Sequence, residues 1–194
     1  MTMRWRGLLA IVVLSAAAGA RAQVIYNEFV QGDISDDRFL PTALVLSEGS
    51  NILLGFMAGA QGPTVDLDYF SITIPAGLQL DQIILTGYFS QDPVAFLAIQ
   101  PGPIFPNDPL TVEPGDLMGW THLEVGQVGL DVLAIMGTQG QGFIPPLPAG
   151  VYTFWAQQLG EPTDYTLDFV VTPAPGSAAL LGAGGVFACR RRRA

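Results

Sequence analysis

The chain has no lysine, one histidine and one cysteine, and these absences limit the chemistry that it can perform. The cysteine is Cys189, close to the C-terminus, so the body of the chain cannot form an internal disulfide or a thiolate metal site. The histidine is His122, and no Gly-x-Ser-x-Gly elbow presents a serine nucleophile to it. We therefore predict that His122 is a strand residue beside Trp120 and not a catalytic base.

Basic residues are scarce and lie almost entirely at the two ends. All eight are arginines, with three before residue 23 and four after residue 189, which leaves Arg38 alone between them. All 17 acidic residues lie in that central part, which gives it a formal charge of −16. Phosphate binding needs lysine or arginine, so this charge excludes nucleic acid as a partner and disfavours anionic membranes. Divalent cations and neutral polymers remain as partners.

Residues 1–22 are typical of a secretory signal peptide. Two arginines precede an apolar segment over residues 7–18, which is too short for a comfortable membrane span. Ala20 and Ala22 then place small side chains at the −3 and −1 positions before Gln23. We expect an N-terminal signal helix, cleavage by signal peptidase before Gln23, and export of the chain.

Residues 172–194 have the composition of a removable tail. An apolar run over residues 177–189 would form a helix roughly 20 Å long at ~1.5 Å per residue, short of the ~30 Å hydrocarbon core. Pro173 and Pro175 prevent its extension toward the body, and the terminal arginines favour the cytoplasmic side of a membrane. The sequence predicts a short apolar C-terminal helix that holds the protein in the inner membrane only transiently.

This tail resembles the PEP-CTERM sorting signal, in which a proline motif, an apolar stretch and an arginine cluster follow one another. The matching residues are Pro173, Ala174, Pro175 and Gly176, then residues 178–189, then Arg190, Arg191, Arg192 and Arg193. Ala174 stands where the family has glutamate. The resemblance implies that an exosortase, a membrane-embedded cysteine enzyme, processes the tail near the prolines. The alternative is an ordinary tail anchor that stays in place.

The body shows the period-2 alternation of β-strands, between many glycines and prolines. In residues 66–77, Phe70, Ile72 and Ile74 share one face; in residues 149–158, Phe154 lies opposite Trp155. Further candidate strands span residues 42–46, 51–57, 82–89, 94–100, 132–138 and 164–171. No segment shows a sustained helical period with caps. The pattern predicts an all-β domain over residues 23–171, an antiparallel β-sandwich with a jelly roll as its natural form.

Residues 64–171 resemble the bacterial pre-peptidase C-terminal domain. The resemblance rests on an Asp-x-Asp-Tyr-Phe strand at 66–70, a Pro-Ala-Gly turn at 75–77, Ala-Gly-x-Tyr at 149–152 and Tyr-Thr-Leu at 165–167. It implies a compact β-sandwich of the kind that accompanies secreted enzymes and often binds surfaces or polymers. Here the domain is expected to be the whole mature protein, with residues 24–62 adding strands.

Five aspartates favour calcium as the one cofactor worth testing. They are Asp33, Asp36 and Asp37 in a single loop, and Asp66 and Asp68 at the start of a strand. Calcium takes several oxygen ligands, typically from loops, although this spacing is not that of an EF-hand. The alternative is that these acids cap turns and keep the surface soluble.

Three functions follow from these observations. The first is a non-enzymatic protein exported to the cell envelope or extracellular matrix. The second is a carbohydrate- or exopolysaccharide-binding module in which an outward Trp155 stacks on a sugar ring, unless Trp155 belongs to a second core. The third is a hydrolase that uses a pair of carboxylates. We favour the first, because the sequence offers almost no catalytic groups.

Overall fold

The computed structural model describes residues 22–60 and 65–176, which form eight strands and a few short helical turns. The strands are β1 (Gln23–Asn27), β2 (Thr42–Val45), β3 (Gly49–Met57), β4 (Leu67–Ser90), β5 (Val94–Pro101), β6 (Gly119–Glu124), β7 (Leu147–Gln157) and β8 (Thr163–Pro173). The α-helices are α1 (Glu28–Gln31) and α2 (Val132–Met136), and 3₁₀ turns span Pro114–Asp116 and Val125–Gln127. The predicted β-rich class is confirmed.

The predicted helices at both ends lie outside the described residues, together with Ala20 and the arginine cluster at 190–193. The strand β1 begins at Gln23, where the sequence predicts the mature chain to start. Pro173 ends β8, and the Ala174 amide donates to the Gly77 carbonyl oxygen at 2.8 Å. Within the described part of the chain, no helix is long and apolar enough to cross a membrane.

All strands belong to one mixed sheet in the order β1-β3-β8-β4-β7-β5-β6, with β2 paired to β4. The 24-residue strand β4 organises it: residues 67–74 and 79–80 pair with β7, and residues 78–90 pair with β8. The turn predicted at residues 75–77 is wrong, because β4 continues through an irregularity between Ile74 and Gln79. Gly77, at φ 85°, allows the chain to bend there without ending the strand.

The prediction of a wholly antiparallel sheet is also wrong. The pairs β1–β3 and β2–β4 are parallel, and the other ladders are antiparallel. A parallel pair needs a long crossover connection. Residues 28–48 supply it between β1 and β3, and residues 46–66 between β2 and β4.

One predicted strand, residues 132–138, is instead the helix α2. The Asp131 carboxylate caps it by accepting from the Leu133 amide at 3.1 Å. Val132, Leu133 and Met136 are buried, which is the spacing of one helical face. The apolar run is continuous there, so its period did not distinguish helix from strand.

Two apolar clusters lie on opposite faces of β4 and β7. In the larger cluster, Phe154 stacks on Phe70 with ring centroids 5.1 Å apart and meets Phe169 edge-on at 5.9 Å. Tyr69 and Trp155 lie in the smaller one. The faces predicted from the alternation of these residues are confirmed.

Candidate functional site

Five carboxylates converge beside the start of β4, and we call them the acidic pocket: Glu28, Asp33, Asp36, Asp66 and Asp68. Oxygen atoms of Glu28, Asp33 and Asp68 lie within 4.8 Å of one another, and the same holds for Asp33, Asp36 and Asp66. Four of the five predicted aspartates therefore meet.

Asp37, the fifth predicted aspartate, is not part of the acidic pocket. It is exposed, and its Oδ1 accepts from the Phe39 amide at 2.8 Å, which makes it a turn cap. Glu28 takes its place in the pocket, and sequence analysis missed it, because a single glutamate at a helix start has no distinctive spacing.

The first helix directs Glu28 into the protein. Asn27 caps α1 by accepting from the Phe29 amide at 3.1 Å, and Glu28 follows directly. The Glu28 carboxylate accepts from the Phe56 amide at 2.7 Å and from the Ile34 amide at 3.3 Å. Glu28 is only 8% exposed, so backbone donors fix its position in the interior.

Asp68 is fully buried in β4 with one oxygen satisfied and one not. Its Oδ2 accepts from the Tyr165 hydroxyl at 2.6 Å, whereas its Oδ1 has no hydrogen-bond partner. A buried polar atom without a partner costs about 1–3 kcal/mol, and more when the group is charged. The burial of Asp68 therefore lowers the stability of the fold.

The acids of the pocket face one another without a basic side chain to neutralise them. Burial, followed by the interaction with Asp33, raises the pKa of Glu28 to about 8. Burial and the nearby Glu28 hold the pKa of Asp68 well above its usual range, and burial also raises that of Asp66. Arg38, the only arginine among the described residues, donates instead to the carbonyl oxygens of Phe105 and Pro106.

This arrangement predicts that the metal-free protein is more stable in mild acid. The pKa of Glu28 is about 8 when folded against an ordinary value of 4.5, so the folded state binds more protons between those pH values. Stability is then present below pH 4.5 and is lost as the pH rises toward 8. Asp33, Asp68 and Tyr26 are the titratable groups that face Glu28, and burial raises the pKa of Asp68 and of Tyr26 as well, which acts in the same direction. In EDTA, urea unfolding should show a free energy of unfolding about 2 kcal/mol lower at pH 8 than at pH 5.5.

Glu28→Gln is the control for this pH dependence. It keeps the size and one of the two acceptor oxygens of the side chain but removes the charge, so its free energy of unfolding should change much less over the same pH interval. A wild-type protein that gains stability between pH 5.5 and 8 would contradict the assignment of Glu28.

Trp155, the predicted ligand residue, is not exposed. Only 3% of it reaches solvent, and its ring packs edge-on against Phe96 at 4.9 Å and Phe105 at 5.7 Å. Residues 102–117 cross this face of the sheet and bring Phe105 and Leu117 onto it. The interpretation of Trp155 as a sugar-stacking platform is wrong, and the alternative of a second core describes it.

A groove nevertheless opens at the edge of that second core. It encloses about 310 Å³, and we call it the aromatic groove after Phe96, His122 and Trp155, which line it with Gln157. Its remaining lining residues are Val94, Ala95, Gln158 and Leu159. None of the lining residues is acidic, which sets the groove apart from the strongly negative body.

Three residues of the groove form a row across adjacent strands. Phe96 of β5 lies opposite Gln157 of β7 on one side and opposite His122 of β6 on the other. Neighbouring strands are ~4.8 Å apart, so an amide and an imidazole flank the phenyl ring, and the centroid of the His122 ring lies 6.5 Å from that of Phe96. Phe96 is half-buried and stacked on Trp120 at 5.9 Å, which fixes its ring. The sequence predicted these strands but not their order in the sheet, so it missed the row.

His122 is a strand residue beside Trp120, as predicted. It is exposed, and the rings nearest to it are those of Trp120 at 5.5 Å and Phe96 at 6.5 Å. This environment suits a hydrogen-bonding group at a surface.

The chain was compared with models of protein families, with curated proteins and with solved structures, and none of the three comparisons found a match.

Proposed function

We propose that this chain is a non-enzymatic protein exported to the cell envelope or the extracellular matrix, where its body binds a neutral polysaccharide. Residues 1–22 address it to signal peptidase and residues 172–194 to an exosortase-like enzyme. The body is a β-sandwich of the jelly-roll type in which the two parts of β4 belong to opposing sheets. The change of partners along β4 supports this architecture: residues 67–74 pair with β7 and β2, residues 79–80 pair with both β7 and β8, and residues 82–90 pair with β8.

The row formed by Gln157, Phe96 and His122 carries the proposal of polysaccharide binding. A sugar ring presents an apolar face and a rim of hydroxyl groups. The phenyl ring of Phe96 matches the apolar face, and the Gln157 amide and the His122 imidazole can each donate to or accept from the hydroxyls. Concave sites that combine aromatic rings with a few polar groups are the usual form of a ligand pocket.

Charge favours a neutral polymer over an anionic one. Carboxylates are absent from the lining of the aromatic groove, whereas the body around it carries a formal charge of −16. A polymer bearing uronate, sulfate or phosphate groups would be repelled during approach. A neutral polysaccharide is not repelled in this way.

The arrangement of the acids supports a binding role over hydrolysis. In a glycoside hydrolase the two carboxyl groups flank the scissile bond, so both must reach the substrate. In the acidic pocket Glu28 is 8% exposed and Asp68 is fully buried, so neither of these two can reach a polymer, whereas Asp33 and Asp36 are exposed. The buried pair of Glu28 and Asp68 is thus not suited to the hydrolase function.

Phe96→Ala is expected to weaken binding to the neutral fraction of the exporting host's exopolysaccharide by at least about tenfold. The change removes the stacking surface, and tenfold corresponds to about 1.4 kcal/mol. Affinity electrophoresis or a pull-down on the immobilised fraction would measure it. His122→Ala and Gln157→Ala should each weaken binding less, since each removes a single hydrogen bond.

Phe89→Ala is the matched control, because Phe89 is 78% exposed and is not among the residues that line the groove. It should bind like the wild type. Equal losses in Phe89→Ala and Phe96→Ala, or a wild-type protein that does not bind the fraction, would contradict the proposal.

A further inference from the structure

We infer that the acidic pocket binds one Ca²⁺ ion, held by Glu28, Asp33 and Asp68, and that this ion fastens the N-terminal segment of residues 23–37 onto β4. The inference concerns a different place from the aromatic groove. It does not depend on polysaccharide binding.

The first observation is the convergence of the carboxylates. Glu28 and Asp33 belong to the N-terminal segment, Asp68 belongs to β4, and their oxygen atoms lie within 4.8 Å of one another. Asp36 and Asp66 lie on the outer side of Asp33 and add negative charge around the same point. Like charges at this spacing destabilise a fold unless protons or a cation neutralise them.

The second observation is independent of the first and concerns Asp68 alone. Its Oδ1 is buried without any donor, in a residue with no exposed surface. The other carboxylate oxygens of Asp68 and Glu28 each have a donor. Tyr165 donates to Asp68 Oδ2, and the Ile34 and Phe56 amides donate to Glu28. An oxygen left without a donor inside a group of carboxylates is the expected mark of a metal ligand.

The chemistry of the donors selects calcium. The group consists of carboxylate oxygens, with neither histidine nor cysteine, which disfavours zinc and other borderline metals. Mg²⁺ requires near-ideal octahedral geometry and keeps several of its waters, whereas Ca²⁺ accepts irregular sets of six to eight oxygens. Irregular positions on a helix start, a loop and a strand fit the larger ion.

An ion at this place would add to the attachment of the N-terminal segment. That segment is held on the sheet by the β1–β3 ladder and by two hydrogen bonds at the start of β4: the Tyr69 amide donates to the Ser35 carbonyl oxygen at 2.8 Å, and the Leu67 amide donates to the Asp36 carboxylate at 2.9 Å. On β3, the Phe56 amide donates to the Glu28 carboxylate at 2.7 Å. Ca²⁺ would add a direct link from Glu28 and Asp33 to Asp68. Extracellular calcium modules bind in the 10⁻⁴–10⁻³ M range, and we expect about that affinity here.

The purified full chain, treated with EDTA and then dialysed free of it, should be titrated with CaCl₂ by calorimetry and by thermal melting. We expect saturable binding and a melting temperature raised by about 5 °C at 100-fold excess over Kd. MgCl₂ at the same concentrations should give less than about a fifth of that shift. In hydrogen exchange, the amides of Ile34 and Phe56 should become slower with calcium, because Glu28 accepts from both. An absent calcium response, or an equal response to magnesium, would overturn the inference.

Asp68→Asn tests the site with little change of shape, and it is expected to weaken calcium binding by at least tenfold. Asp37→Asn is its control, since Asp37 lies in the same loop as Asp33 but caps a turn outside the pocket. Glu28→Gln serves if Asp68→Asn fails to fold, and it should lose the calcium response in the same way. An unchanged response in the folded pocket variants, or an equal loss in Asp37→Asn, would overturn the assignment of the ligands.

Discussion

Gly55→Val is expected to lower the free energy of unfolding by about 3 kcal/mol or more, the upper end of what overpacking a core costs. Gly55 lies in β3 directly opposite Tyr165 of β8. A Cβ atom at Gly55 would stand 2.2 Å from Cζ and 2.5 Å from the hydroxyl oxygen of Tyr165. The ring is 1% exposed and its hydroxyl is bound to Asp68, so it cannot move aside without disturbing the acidic pocket. Denaturation in urea, followed by circular dichroism, would measure the loss.

Gly115→Val separates this clash from the general effect of adding a side chain. A Cβ atom at Gly115 would meet nothing within 4 Å, and its φ lies outside the region that favours glycine. We expect its free energy of unfolding to stay within about 0.5 kcal/mol of the wild type. If Gly55→Val also stayed within about 0.5 kcal/mol of the wild type, Tyr165 would have a second position available, and the packing described for it would be wrong.

The sequence predicted the strands well where alternation was strong. Phe70, Phe154 and Phe169 alternate with polar or opposite-facing neighbours, and all three meet in the larger core. A period of two residues assigns a face directly, because successive side chains of a strand point in opposite directions. Local pattern was sufficient for this part of the fold.

Pairing between distant strands was not predictable in the same way. The parallel ladders β1–β3 and β2–β4 depend on crossovers whose path no local pattern records. Trp155 is buried because residues 102–117 bring Phe105 over its ring. Its polar neighbours on the same face suggested exposure, but Thr153 is buried and donates to the Gly102 carbonyl oxygen at 2.7 Å, and Gln157 lies in the lining of the aromatic groove.

The acidic pocket could be predicted from the sequence only in part, for the same reason. Asp33, Asp36, Asp66 and Asp68 stood out as two local clusters, and the sequence proposed them together. Their meeting depends on the contact between Ser35 and Tyr69, which places the loop of residues 32–38 beside the start of β4. Glu28 reaches the pocket because α1 places it there. A helix of four residues is too short to show a recognisable pattern in the sequence.

The start of β4 connects the two regions discussed above. Leu67 lies opposite Gln157, which lines the aromatic groove, and the flanking Asp66 and Asp68 belong to the acidic pocket. Alternation along a strand sends neighbours to opposite faces, so Leu67 packs against the second core while Asp66 and Asp68 face the acidic pocket. Whatever orders this stretch of β4 therefore also positions one edge of the groove.

Replacing Arg190, Arg191, Arg192 and Arg193 with alanine is expected to leave most of the protein unprocessed or mislocalised in the exporting host. The apolar run of residues 177–189 reaches only roughly 20 Å as a helix, too little to stop in a ~30 Å hydrocarbon core by itself. The arginines would hold it there by favouring the cytoplasmic side. Cell fractionation with immunoblotting, and the intact mass of the product, would show whether the tail remains.

Substitution of the same four positions with lysine decides whether charge alone is responsible. Lysine keeps the positive charge but not the planar guanidinium group, so a requirement for charge alone predicts normal retention in the membrane and normal processing. If the alanine variant fails and the lysine variant succeeds, the cluster acts as an electrostatic stop. If both fail, the processing enzyme recognises arginine itself. Normal processing of the alanine variant would contradict the sorting role, because a run this short would then be held by nothing but its own apolar surface.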